Sequence, residues 1–205
     1  MDTVTRILEF LAFSERLKSE LRHSWLASGR QESVAEHCWQ MALMAMLVHR
    51  ELEQPVDLSH TLKLVLVHDI VEAEAGDVPF FEVSERKATK QAREARAIAG
   101  IRDRLPAPTG AEMHALWHEF EARATPEAKL AGALDHLEVQ LQHNLADMAT
   151  WEPVEHALVY TKMDASCAHD SFLRAMCAAI RADAEAKMAA AGVDIEAVKR
   201  LVKVG

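Results

Sequence analysis

His68 and Asp69 stand side by side in an otherwise apolar run, LKLVLVHDIV. A carboxylate in such surroundings is costly unless it is paired, hydrogen-bonded or bound to a metal. His37 falls on the apolar side of its own segment, in line with Met41, Met44 and Val48, and Asp135 is set among Leu130, Leu134, Leu137 and Leu141. Three segments thus each carry one or two metal-capable groups toward an apolar side. Converged, two imidazoles and two carboxylates form a mixed nitrogen and oxygen set suited to a divalent transition metal, with positions left for water or a phosphate oxygen. Singly, each residue has a plainer reading. A histidine on an apolar face is more often a hydrogen-bonded core residue, and a lone aspartate is more often a cap or an ion-pair partner. Residue types alone leave both readings open.

Two further acids bear on the choice. Glu72 follows Asp69 by three positions and His68 by four, so a helix places it on their face one turn on. Asp77 follows in a glycine-containing turn, whose backbone freedom can aim a carboxylate back at the same place. Phosphate ester hydrolysis calls for such a group: a metal lowers the pKa of a water, and a carboxylate orients that water or takes its proton. Alone, either acid reads equally as an exposed helix-end residue.

The elements that must position these groups read as helices throughout. Gly and Pro number only 7 and 6 in 205 residues, and half the chain is hydrophobic, which favours long helices over many short strands. The pattern predicts a first helix over residues 3–21, then a loop through Ser28, Gly29 and Arg30. Ser33 with Glu36 forms a capping box before CWQMALMAMLV, a stretch read as helix core. Asp57 or Ser59 caps a helix running through LKLVLVHDIVEAE, and Gly76 to Pro79 breaks it. A charged helix then covers SERKATKQAREARAIAGIRDRL. Another spans residues 113–122, one opens at Thr125-Pro126 and carries LAGALDHLEVQLQHNLADM, and a long element from Pro153 to about residue 190 precedes a short terminal helix. No sheet is expected. The fold class is all-α: one helical bundle of about six to eight helices over residues 1–205, with a core at about 22–150, an N-terminal helix and a C-terminal helical extension.

Composition narrows the partners. A net charge of −9 argues against nucleic acid or an anionic membrane, both of which need a basic surface. Three cysteines without a CxxC pair suggest neither a disulfide framework nor a thiolate zinc site. The N-terminal segment reads as an amphipathic helix rather than a signal peptide, and no apolar run approaches the roughly 20 residues that cross a bilayer. A cytoplasmic location is the expectation.

The order His…His-Asp…Asp, with the first His in ESVAEHCWQMA, the pair in HDIVEAEAGDVP and the last Asp in ALDHLE, resembles the HD-domain superfamily of phosphohydrolases. The segment WHEFEARATPEAKL and the register of HDxxE with GD place it nearest the branch holding the bacterial 5′-deoxynucleotidases and HD-domain-containing protein 2. The resemblance runs from about Arg22 to Glu138. It implies a helical HD fold, commonly a homodimer, and one divalent metal ion (Mn, Co, Fe, Ni, Zn or Mg) held by His37, His68, Asp69 and Asp135. It also implies that Glu72 and Asp77 support an attacking water. Arg22 occupies the place of a nucleotide-holding Arg, and Arg30 matches a recurrent basic position near phosphate, although a surface salt bridge accounts for it equally well. The deoxynucleotidase pattern has Trp directly after that Arg; here His23 follows, and Trp25 comes three residues after Arg22. The reaction implied is phosphate release from a nucleoside 5′-monophosphate, with 2′-deoxynucleotides foremost. The alternatives are a phosphodiesterase or another small phosphate-ester hydrolase, and a non-catalytic nucleotide-binding protein with a structural metal.

Overall fold

The computed structural model describes residues 2–204 and consists of twelve α-helical segments and one small hairpin. In chain order these are α1 (Thr3–Ser14), β1 (Leu21–Trp25), β2 (Gln31–Ser33), α2 (Val34–Val48), α3 (Leu58–Val67), α4 (Glu72–Ala75), α5 (Glu85–Ala88), α6 (Lys90–Arg104), α7 (Ala107–Ala122), α8 (Pro126–Leu145), α9 (Pro153–Leu158), α10 (Met163–Cys167), α11 (Ser171–Ala190) and α12 (Ile195–Val204). Eight of these helices have ten residues or more, as expected; the excess comes from four segments of four to six residues.

The helix starts follow local chemistry. Ser33 Oγ accepts from the Glu36 amide at 3.3 Å while Glu36 Oε2 accepts from the Ser33 amide at 2.9 Å, closing the capping box of α2. Asp57 accepts from the Ser59 and His60 amides at the start of α3, and Thr125 caps α8 with Pro126 at its first position. α8 is the central helix, packed against α2, α3, α7, α10 and α11. Its Leu130, Leu134 and Leu137 are fully buried, and truncating one to Ala should cost about 2–5 kcal/mol. The main core extends to Leu173, Cys177 and Ile180 of α11, and a smaller cluster of Trp151, Val159, Ala184 and Met188 lies under the C-terminal end.

Several expectations are corrected. The first helix stops at Ser14, adds a 3-10 turn at Glu15–Lys18 and passes into β1. The stretch read as sheet-free holds an antiparallel pair, Leu21 opposite Ser33 and Trp25 opposite Gln31, with Gly29 at φ 85° in the connecting loop. Its signal is weak because β1 is short and polar, without clean alternation. The helix expected through LKLVLVHDIVEAE ends at Val67. Beyond it the amides of Ile70, Glu72, Ala73 and Glu74 bond three residues back, a tight turn that leads into the short α4. The long element from Pro153 breaks into α9, α10 and α11, the last capped by Asp170, which also accepts from the Glu53 amide at 2.8 Å. MALMAMLV is only half core: Met41, Met44, Ala45 and Val48 are buried, while Met46 and Leu47 are exposed.

Candidate metal centre

His37, in the first turn of α2, is fully buried, and its Nδ1 lies 2.5 Å from Glu138 Oε2 on α8. His68 ends α3, with Nδ1 2.8 Å from the Val65 carbonyl oxygen. Each contact makes Nδ1 the donor and leaves Nε2 with a lone pair aimed inward. The two rings stand 5.5 Å apart. Around them, His37 Nε2 is 3.4 Å from Asp135 Oδ1 and 3.9 Å from Asp69 Oδ2, and His68 Nε2 is 3.1 Å from Asp69 Oδ2. Close as these contacts are, both Nε2 atoms are buried and, among the described residues, neither has an aligned hydrogen-bond partner. Ligand atoms of His37, His68 and Asp135 fall within 4.8 Å of one another, and Asp69 groups likewise with His68 and Cys38. Two buried, unsatisfied imidazole nitrogens facing two carboxylates fit a divalent cation: it would satisfy lone pairs that nothing else in the interior meets.

The electrostatics reflect the same crowding of charge. Burial opposes a proton on His37, as does Arg22, yet Glu138 and Asp135 outweigh both and lift its pKa to about 10. Burial likewise opposes charge on Asp69 and Asp135, but the neighbouring histidines hold both carboxyls well below the usual range. The crowded carboxylates thus favour positive charge between them, the charge that a metal ion would bring.

Glu72 is buried one tight turn from Asp69. In a three-residue turn, positions i and i+3 eclipse, so Glu72 stands over Asp69 more directly than an α-helix would allow. Burial, together with the charges of Asp69 and Asp77, pushes its carboxyl well up. Burial and Asp69 also raise Asp77, against Arg22 and Lys90. Gly76, at φ 73°, makes the turn between them, and the Asp77 amide donates to Glu20 Oε1 at 2.9 Å. Arg16 and Arg93 donate to the carbonyls of Ala73 and Ala75, pinning the end of α4.

Arg22 reaches in from β1. Its Nη1 donates to Asp69 Oδ2 at 3.2 Å and its Nε lies 3.7 Å from Glu32 Oε2. Its residue neighbour His23 lines a cleft of about 290 Å³ together with Arg22, Asp77, Phe81, Asp135 and His143. Trp25 does not line that cleft; its ring meets His23 edge-on at 4.9 Å, so it backs the lining residue. Arg30 is placed elsewhere: exposed in the hairpin loop, it forms a two-pronged pair with Glu36 at 2.6 and 2.9 Å and helps hold the cap of α2. His114 and His118 face each other on α7, with Nε2 atoms 3.2 Å apart, and join no metal-capable group among the described residues.

Sequence reasoning missed three supporting residues. Glu138 lies one turn beyond Asp135, a spacing that marks it as a neighbour without revealing that it bonds His37. Glu32 is buried beside Arg22 and Glu138. Arg123, at φ 50°, stacks on Phe120 and lies 3.6 Å from Asp135 Oδ2; a Cβ at Gly132 would come within 2.5 Å of its guanidinium, so the glycine makes room for it.

The 5′-deoxynucleotidase HDDC2 of Danio rerio is 35% identical over 139 residues, 66% of this chain and 67% of that protein. The human 5′-deoxynucleotidase HDDC2 is 33% identical over 153 residues, 73% and 70% of the two chains. A crystal structure of a predicted metal-dependent phosphohydrolase from Magnetospirillum magnetotacticum MS-1 superposes with a TM-score of 0.78 at 32% identity, over 90% of this chain and 94% of that one. Residues 14–172 match the family model described as HD domain, and the chain belongs to the HD-domain family.

Proposed function

We propose that this metal-dependent nucleotide phosphohydrolase releases phosphate from nucleoside 5′-monophosphates, 2′-deoxynucleotides foremost. The observation that carries the reading is the pair of buried, partnerless imidazole nitrogens facing Asp69 and Asp135 beside a cleft that also holds Arg22 and Asp77. His37, His68, Asp69 and Asp135 would hold one divalent ion, with Mn, Co, Fe, Ni, Zn and Mg all compatible with two nitrogen and two oxygen donors. Bound there, the ion would supply Lewis acidity to the phosphate and would lower the pKa of a water.

The chain's own residues do the rest. Glu72, with Asp77, orients the water for in-line attack and takes its proton. Arg22 offsets charge on the phosphate, held in place by Asp69 and Glu32. Glu138 keeps His37 Nε2 free for the metal by accepting from Nδ1. Trp25 acts through His23, which it braces from behind. Arg30 has no part in the reaction in this reading.

The same reading treats the whole chain as one domain, because α11 shares the main core with α2, α3 and α8. It is a homodimer in the cytoplasm, joined through Trp39, Leu43, Met46 and Leu47 of α2 and Leu66 of α3, which leave an exposed apolar face. No helix is long and apolar enough to cross a membrane among the described residues.

The test is phosphate release by chelator-stripped protein given dAMP, AMP or a cyclic dinucleotide, with Mn²⁺ or Co²⁺ restored. Metal-dependent release from dAMP above AMP is expected. Equal release from both keeps the monoesterase and removes the sugar preference, and silence on both monophosphates sinks the reading.

A further inference from the structure

The cleft carries two kinds of cation. Those nearest the metal-capable residues are paired with acids: Arg22 with Asp69 and Glu32, Lys90 with Glu94. Lys87 and Lys162, also in the lining, differ. Lys87 comes from α5, beyond the Asp77 turn, and Lys162 from the connection between α9 and α10, yet both amines meet on one ring. Lys162 Nζ lies 3.1 Å and Lys87 Nζ 5.2 Å from the centroid of Phe80, which is 58% exposed. Among the described residues neither amine has a carboxylate within 4.0 Å; Lys87 donates only to the Pro79 carbonyl, at 3.2 Å.

In a chain of net charge −9, acids to pair with are plentiful. Two ammonium groups brought together without one repel each other, and the ring face between them offsets only part of that cost. Burial and Lys90 lower the pKa of Lys87 against the pull of Asp77, Glu82 and Glu94, and burial and Lys87 lower that of Lys162. A phosphate group beside the Phe80 ring would offset the charge of both amines and accept a charge-assisted hydrogen bond.

We propose that Lys87 and Lys162 form an outer anion subsite that receives a second phosphate group of a nucleotide whose scissile phosphate lies at the metal centre. The inference rests on the function proposed above. The second phosphate can belong to a 5′-diphosphate or to the 3′ position, and the chemistry of capture is the same for both.

The test is isothermal titration of the Mn²⁺-loaded full chain in a Glu72→Gln background, which suppresses turnover, with dAMP, dADP and deoxyadenosine 3′,5′-bisphosphate. Each ligand is compared with lysines present and after Lys87→Gln with Lys162→Gln. At least one two-phosphate ligand should bind about five- to twentyfold tighter than dAMP. The lysine substitutions should erase that advantage while moving dAMP affinity less than about twofold, since both lysines lie apart from the metal-capable residues. The ligand that responds identifies the position of the second phosphate. No advantage over dAMP, an advantage that survives the substitutions, or equal weakening of all three ligands overturns the subsite. Failure of the wild-type chain to hydrolyse dAMP, with the lysine-dependent advantage intact, removes the monophosphatase reading and leaves the subsite standing.

Discussion

The inner and outer walls of the cleft are built on opposite principles. Arg22, Asp77 and Asp135 line the inner wall, and behind it His37 of α2 and His68 at the end of α3 are buried and each is oriented by a hydrogen bond to its other nitrogen. On the outer wall, which Phe80, Lys87 and Lys162 line, Phe80 is exposed and the two lysines have no carboxylate within 4.0 Å among the described residues. Rigid, desolvated groups suit a reaction centre, where a small misplacement is expensive. Accessible, charged and aromatic groups suit recognition of what lies beyond the reacting phosphate. Chemistry and selectivity are therefore separable here by wall, and substitutions should divide the same way.

The sharpest test is Asp69→Ala, which removes a metal-capable carboxylate and the partner of Arg22 together. Activity should fall by about a thousandfold or more. Thermal unfolding should register the same loss: Mn²⁺ at about a hundred times its Kd should stabilise the wild type by about 2.7 kcal/mol and the variant hardly at all. Equal stabilisation of both would place the metal elsewhere. Next is Glu72→Gln, for which kcat should drop about a hundred- to ten-thousandfold with metal affinity retained. Full turnover there would strip Glu72 of its role.

Glu138→Ala probes the support behind the inner wall. It should weaken metal binding about ten- to a hundredfold, read by competition with a chelating dye, while Glu138→Gln, which can still accept from Nδ1, should recover part of that loss. Identical behaviour of the two variants would make Glu138 a packing residue. The smallest effect is expected beside the outer wall, at Val83, which does not line the cleft. Val83→Ser, at a side chain 99% exposed, should change unfolding free energy by less than about 0.5 kcal/mol and leave kcat unchanged. A large effect would erase the distinction between the walls.

Much of this was legible in the chain, and the reasons are local. The capping box at Ser33 and Glu36, the Thr125-Pro126 helix start and the Gly76 turn involve residues a few positions apart, and all appear as expected. The convergence of His37, His68 and Asp135 was legible as one of two open readings, because each belongs to a segment with an apolar side and apolar sides meet in a core. The hairpin was hidden because β1 turns cleft-lining polar residues such as Arg22 and His23 inward, which spoils hydrophobic alternation. The tight turn after His68 was hidden because LKLVLVHDIVEAE has good helical periodicity throughout. The difference between three- and four-residue hydrogen bonds is too small for periodicity to resolve.

The sequence by itself determined the helical class, the helix starts and the donor types gathered at the centre, because periodicity and capping act within about one turn of chain. Tertiary structure alone decided the partners. Arg30 and Arg22 look alike in sequence, yet Arg30 closes on Glu36 six residues away while Arg22 crosses 47 residues to Asp69. Glu138 reaches His37 across 101 residues. No local preference encodes such a choice. It follows from how α2, α3 and α8 pack, since burial leaves each charged or polar group only the partners that packing brings within reach.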